Sequence, residues 1–121
     1  MQDQIETFFK DYGEALSKGD IGRITDFYAP TFVIEKDNQE ITTSNNTAFK
    51  ASLWLRDFLT KWNDEISMEA EDVLLQGTND NEYVVKVHWS IRNAEGKERK
   101  QQEVIYTLKD EGGLRIIASS V

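Results

Sequence analysis

The stretch YGEALSKGDIGRITDFYAP, Tyr12 to Pro30, decides how the rest of the chain is read. Upstream of it, Ile5, Phe8, Phe9, Tyr12, Ala15 and Leu16 recur at helical spacing, so one stripe of a first helix is apolar. Ser17-Lys18-Gly19-Asp20 ends that run: Gly19 suits the left-handed residue after a helix, and Asp20 can cap a second one. Ile21, Ile24, Phe27 and Tyr28 share one side of that short second helix. Pro30, the only proline, is expected to close it by disfavouring helix at Ala29.

Downstream, Thr31 to Glu35 reads as a strand and Lys36 to Gln39 as a turn. A third helix is expected from a cap around Ser44 to Asn46 as far as Asn63. Phe49, Leu53, Trp54, Leu55, Phe58, Leu59 and Trp62 would form its apolar face. Four long strands follow, over 66–76, 82–92, 98–109 and 114–121, with turns at Gly77 to Asp80, Asn93 to Gly96 and Asp110 to Gly113. The order predicts an α+β domain spanning residues 1–121, with three N-terminal helices on a curved, mainly antiparallel sheet.

Alternation along the strands sorts their faces. Tyr83, Val85, Val87, Trp89 and Ile91 form a core face; Val84, Lys86, His88, Ser90 and Arg92 point the other way. A tight turn at Glu95-Gly96 sets Val87 opposite Val104, Val85 opposite Tyr106 and His88 opposite Glu103. In the last strand Leu114, Ile116 and Ala118 are the expected inward residues. The first long strand switches phase between Ile66/Met68/Ala70 and Val73/Leu75, which a bulge near Glu71-Asp72 would reconcile.

Composition excludes several functions. The chain of 121 residues has no cysteine, so disulfides, thiolate metal sites and a cysteine nucleophile are ruled out. His88 is the only histidine, which rules out sites needing two imidazoles. The formal net charge is −8, with no basic stripe, so no nucleic-acid partner is expected. The opening MQDQIETFFKDYGEAL places acids among its hydrophobes, unlike a signal peptide, and no apolar run approaches a membrane span. The expectation is a cytoplasmic protein with no membrane partner, no metal and no cofactor. The acids Asp64, Glu65, Glu69, Glu71 and Asp72 lack the spacing of a calcium loop and read as a solvated strand edge.

The helix, Gly-Asp break, helix and Tyr-Ala-Pro opening resembles that of the nuclear transport factor 2-like superfamily, and the element order does so over essentially the whole chain. The resemblance implies a cystatin-like cone: a sheet wrapped with helices around a pocket. It is nearly silent on chemistry, since relatives include isomerases, dehydratases, cyclases, epoxide hydrolases and non-catalytic adaptors. Steroid isomerases of this kind use a carboxylate base, a tyrosine and a protonated aspartic acid. Tyr12 falls at the tyrosine's place, but the base position falls on Lys36 and the aspartic acid position on Ile105 or Tyr106. Two of three groups are missing, and steroid isomerase activity is not expected. The acid/base cavity residue of the cyclases and the Asp-Arg-Asp network of the epoxide hydrolases likewise have no inward counterpart.

No catalytic residue is assigned, and the candidate pocket residues are Tyr12, Lys36, Trp54, Asp72, Trp89 and Tyr106. Tyr12 could donate a hydrogen bond to a ligand oxygen, or simply fill the helix face. Lys36 could meet an anionic group or serve as a desolvated amine, against the simpler reading of a solvated turn lysine. Trp54, Trp89 and Tyr106, with Trp62, could line an aromatic pocket or fill the core. Asp72, at the suspected bulge, is the one acid with a route inward. His88 is the lone imidazole, more simply a cross-strand partner of Glu103 or part of a dimer contact.

Three functions are open on these residues. One is a pocket protein binding a small, largely apolar molecule and forming a homodimer through the outer sheet face, where Lys86, His88, Arg92, Glu103 and Thr107 lie. The second is an isomerase, dehydratase or cyclase using Tyr12 with Lys36 or Asp72. The third is an interaction module, with its interior filled and an apolar patch of at least a few hundred Å² outside.

Overall fold

The computed structural model describes residues 1–36, 39–43, 66–93 and 95–120. Helix α1 (Gln2–Lys18) and helix α2 (Ile21–Asp26) precede strands β1 (Tyr28–Lys36) and β2 (Gln39–Thr43). Then come β3 (Ile66–Asn79), β4 (Glu82–Asn93), β5 (Glu98–Asp110) and β6 (Leu114–Ser120). Two helices lie among the described residues, and the expected third helix, with Trp54 and Trp62, lies outside them.

Gly19 ends α1 in the left-handed conformation, at φ 63°. Its N–H reaches the Leu16 carbonyl at 3.1 Å, and the Asp20 N–H reaches that of Ala15 at 3.3 Å. Asp20 then caps α2 by accepting the Arg23 N–H at 3.2 Å. Both assignments made from the Gly-Asp pair hold.

The strand after α2 begins earlier than expected, at Tyr28 rather than Thr31, and Pro30 lies inside it. The bias of a pre-proline residue toward extended backbone starts the strand at that point. The missing proline N–H is accommodated by a break in pairing: β1 runs parallel to β6 with Tyr28 beside Ile116, then resumes with Val33 beside Ala118.

All six strands form one sheet in the order β2-β1-β6-β5-β4-β3. The sheet is mixed: every neighbouring pair is antiparallel except β1 with β6. The β4–β5 register sets Val87 opposite Val104, Val85 opposite Tyr106 and His88 opposite Glu103, as the Glu95-Gly96 turn predicted. In β3 the register shifts between Ala70 and Asp72, leaving Glu71 as the extra residue. That bulge turns Met68 and Ala70 before it, and Val73 and Leu75 after it, toward one core.

A second shift, at Gln76, carries β3 on through Gly77 to Asn79, where a turn had been expected. A third, between Thr107 and Leu108 of β5, leaves Ile117 of β6 as the extra residue. Leu114 and Ile116 therefore face the core, whereas Ala118 sits opposite Thr107 on the other face, contrary to the simple alternation.

The core lies between α1, α2 and the inner face of the sheet. Ile5, Phe9, Tyr12, Ala15 and Leu16 of α1 and Ile24 of α2 pack with Val85, Val87, Trp89, Val104, Tyr106, Leu108 and Ile116. Gly13 lets the helix approach: a Cβ there would lie 2.9 Å from the Met68 carbonyl oxygen and 3.0 Å from the Trp89 ring.

Candidate functional site

The densest polar feature of the interior is carried by aromatic residues. Tyr12 projects from α1, Tyr28 stands at the start of β1, and Trp89 and Tyr106 come from the facing positions of β4 and β5. The Tyr12 and Tyr28 hydroxyls hydrogen-bond to each other. The Trp89 indole N–H donates to the Tyr106 hydroxyl at 3.0 Å. The Tyr12 ring stands edge-on to Trp89 at 5.9 Å and to Tyr106 at 6.2 Å, the separations at which aromatic edges meet aromatic faces favourably.

The hydrogen count of this cluster is uneven. Each phenol has one O–H to donate. The Tyr12–Tyr28 bond uses one of these hydrogens, and the Trp89–Tyr106 bond uses an indole hydrogen. The cluster therefore holds two phenolic hydrogens with no acceptor among the described residues. A buried donor left unmatched costs about 1–3 kcal/mol, so such a group favours whatever oxygen can reach it.

Burial keeps the phenols neutral. It raises Tyr28 to about 12, outweighing the opposite effect of its hydrogen bond to Tyr12. Tyr12 is pushed well above the ordinary range by burial and then by its tyrosine neighbours, and burial raises Tyr106 as well. Groups in this state donate and accept hydrogen bonds at neutral pH; they do not act as bases.

Three of the residues singled out from the sequence, Tyr12, Trp89 and Tyr106, thus come together, at 2%, 1% and 5% exposure. Their packing fills the interior around them, and the partly buried Phe27 and Tyr28 form the cluster's less enclosed side. Asp72 does not join them. The bulge at Glu71 places it opposite His88, exposed on the outer face, because the extra residue that keeps Val73 inward turns Asp72 outward. Lys36 ends β1 opposite Gln39, and its side chain lies outside the described residues, as does Trp54. Tyr28 was missed as a site residue. Its nearness to Tyr12 depends on β1 running beside β6, which no local pattern announces.

Other concave surfaces are open and lined differently. A groove of about 640 Å³ between α1, α2 and the β5–β6 turn includes Phe8, Asp11, Arg23, Phe27 and Arg115. Another, of about 470 Å³, lies between α1 and β3. Neither contains a residue predicted from the sequence as a pocket residue. Among the described residues no three His, Asp or Glu side chains are grouped to hold a metal ion, and no helix is long and apolar enough to cross a membrane.

On the outer face, Leu74, Lys86, Ile105 and Ser120 stand side by side across β3, β4, β5 and β6. Leu74 and Ile105 are 56% and 42% exposed, and apart from Met1 they are the exposed large apolar residues of the described chain.

A family model described as "NTF2-like protein (DUF6841)" matches residues 2–121. No curated protein matches the chain. Among solved structures, a Nostoc punctiforme protein of unknown function with a cystatin-like fold superposes with a TM-score of 0.79 at 13% identity, over 97% of this chain and 86% of that one. The β subunit of a candidate aromatic-ring-hydroxylating dioxygenase from Novosphingobium aromaticivorans gives 0.73 at 12% identity, over 98% and 86%. A candidate ketosteroid isomerase from Shewanella frigidimarina gives 0.69 at 11% identity, over 94% and 90%. At these identities the likeness is one of fold.

Proposed function

The chain belongs to the NTF2-like family DUF6841, and from that premise we propose that it binds a small, largely apolar molecule carrying an oxygen acceptor. The observation that carries this reading is the pair of phenolic hydrogens without an acceptor, set in an apolar interior. A ketone, ester or ether oxygen approaching from the Tyr28 side would satisfy a donor and leave the apolar body of the ligand against aromatic rings. The raised phenols suit binding rather than proton transfer. With Asp72 on the outer face, the isomerase, dehydratase or cyclase alternative rests on Lys36 as proton-transfer partner.

The test is a thermal-shift series with a steroid ketone, its deoxygenated analogue, a fatty acid and an aromatic acid. An oxygen-bearing ligand at about a hundred times its Kd should stabilise the fold by about 2.7 kcal/mol. Its deoxygenated analogue should do less, and the Tyr12→Phe/Tyr28→Phe double variant should erase the difference. Equal shifts from ketone and hydrocarbon, or none from any compound, would count against the reading.

A second surface supports a partner. The exposed row of Leu74 and Ile105 favours self-association of two copies through their outer sheet faces. Sedimentation equilibrium should find a dimer that Leu74→Glu/Ile105→Glu converts to monomer with unchanged stability. A wild-type monomer at all concentrations would rule this out.

A further inference from the structure

The outer face carries a chain of hydrogen bonds that sets the tautomer of His88. Glu98 accepts the Ser90 hydroxyl at 2.8 Å and the Gln101 side-chain N–H at 2.8 Å through the same oxygen. These bonds hold the Glu98 carboxyl below its ordinary range, Gln101 contributing most, so it stays an acceptor. Because a carboxylate only accepts, Gln101 must turn its amide nitrogen toward Glu98. Its carbonyl oxygen then points at His88 Nε2, 3.0 Å away. A carbonyl oxygen also only accepts, so the ring proton is fixed on Nε2.

The other ring nitrogen is left in an unfavourable position. Nδ1 lies 3.7 Å from a Glu103 carboxylate oxygen, and in the neutral ring it presents a lone pair to that negative charge. From β3, Asp72 stands opposite His88, and Glu71 beside it is engaged by Arg92 at 3.3 Å. On its own strand Lys86 reaches the other Glu103 oxygen at 3.5 Å. The Asp72–His88–Glu103 row thus carries two negative charges with a neutral ring and one after Nδ1 takes a proton. It lies directly beside the Leu74–Lys86–Ile105 row.

We propose that protonation of His88 at Nδ1 strengthens self-association of the protein through this face, so that the dimer is tighter in mild acid than at neutral pH. The inference rests on the reading of the outer face as the surface between copies. Two chains of net charge −8 meeting face to face bring the two acidic rows together. Protonation replaces a repulsive contact within each row by an attractive one and halves the charge that each row presents to the other. Imidazole is the side chain that changes charge between about pH 5 and pH 8.

The experiment is sedimentation equilibrium of the full chain at about pH 5.5 and about pH 8, at one ionic strength, for the wild type and His88→Gln. Glutamine keeps a polar side chain beside Gln101 but cannot take the proton. The wild-type dissociation constant should fall about tenfold in acid, the effect of two exposed ion pairs per dimer, and that of His88→Gln should fall much less. Imidazole ¹⁵N shifts of dilute protein at about pH 8 should show the proton on Nε2. A dimer of equal strength at both pH values, or equal tightening in His88→Gln, overturns the proposal and leaves the outer-face reading standing. A proton on Nδ1 at the higher pH overturns it at its first step. A protein monomeric at both pH values overturns the outer-face reading and the proposal with it.

Discussion

The hydroxyl of Ser17 accepts the backbone N–H of Met68 at 2.8 Å, joining residues 51 apart in sequence. Ser17 in turn donates to the Gly13 carbonyl at 2.8 Å, within its own helix. At the other end of α1, the Gln2 amide donates to the Val73 carbonyl at 2.8 Å. Strand β3 is an edge of the sheet, where unpaired backbone groups invite pairing with another chain. Helix α1 fastens that edge at both ends, so the side chains that close it are polar residues of a helix read from the sequence only for its apolar stripe.

Removing the Ser17 hydroxyl should loosen the edge locally. Ser17→Ala is expected to cost about 1–2 kcal/mol, since it leaves the Met68 N–H without its partner. Hydrogen exchange at the Met68 amide should accelerate more than exchange in β4 or β5. Uniform acceleration across the sheet would mean that the bond has no local role.

Gly13→Ala tests the close approach of α1 to the sheet. Alanine is the better helix former by about 1 kcal/mol, so an isolated helix would gain. Here the added methyl meets the Met68 carbonyl at 2.9 Å and the Trp89 ring at 3.0 Å, and backbone cannot swing aside as a flexible side chain could. We expect net destabilisation of about 1–2 kcal/mol in urea unfolding. A stabilised variant would show that the helix sits farther out.

The buried phenols predict an alkaline transition. An ordinary tyrosine ionises near pH ~10, whereas Tyr28 is raised to about 12 and Tyr12 and Tyr106 are raised as well. The unfolded chain therefore loses these protons first. Their contribution to stability is complete below pH ~10 and is lost as pH rises through the folded-state values. Urea midpoints measured across that range should fall, and should fall less steeply in Tyr12→Phe/Tyr28→Phe. Tyrosinate absorbance assigned to these residues near pH 10, with circular dichroism intact, would contradict their burial.

Deletion of Glu71 tests the bulge. Without the extra residue, one half of β3 must slip by one position and turn its apolar side chains to the opposite face. Either Met68 and Ala70 or Val73 and Leu75 would leave the core. Loss of cooperative unfolding is expected, whereas Glu71→Ala should fold normally. Normal cooperativity in the deletion would show that the strand tolerates either phase.

What the sequence by itself determined was whatever depends on neighbours along the chain. Helical spacing from Ile5 to Leu16 defined the buried stripe of α1, and Gly19-Asp20 marked its end because left-handed backbone and side-chain capping are local matters. The Glu95-Gly96 turn set the β4–β5 register, and the phase change in β3 announced its bulge, since a strand side chain has only two faces to choose from. Even the His88–Glu103 juxtaposition followed from turn length alone.

What only the tertiary structure decided was everything that joins elements distant in sequence. The parallel contact of β1 with β6 brings Tyr28 to Tyr12 and makes the interior a set of hydrogen-bonding phenols rather than an apolar filling. The extra residue at Ile117 turns Ala118 away, and the one at Glu71 settles Asp72 on the outer face. The direction of the Gln101 amide, and through it the proton on His88, follows from Ser90 and Gln101 converging on one Glu98 oxygen. A hydrogen bond requires a position and a direction in space, and the order of residues along the chain supplies these only where the backbone between the partners is short and regular.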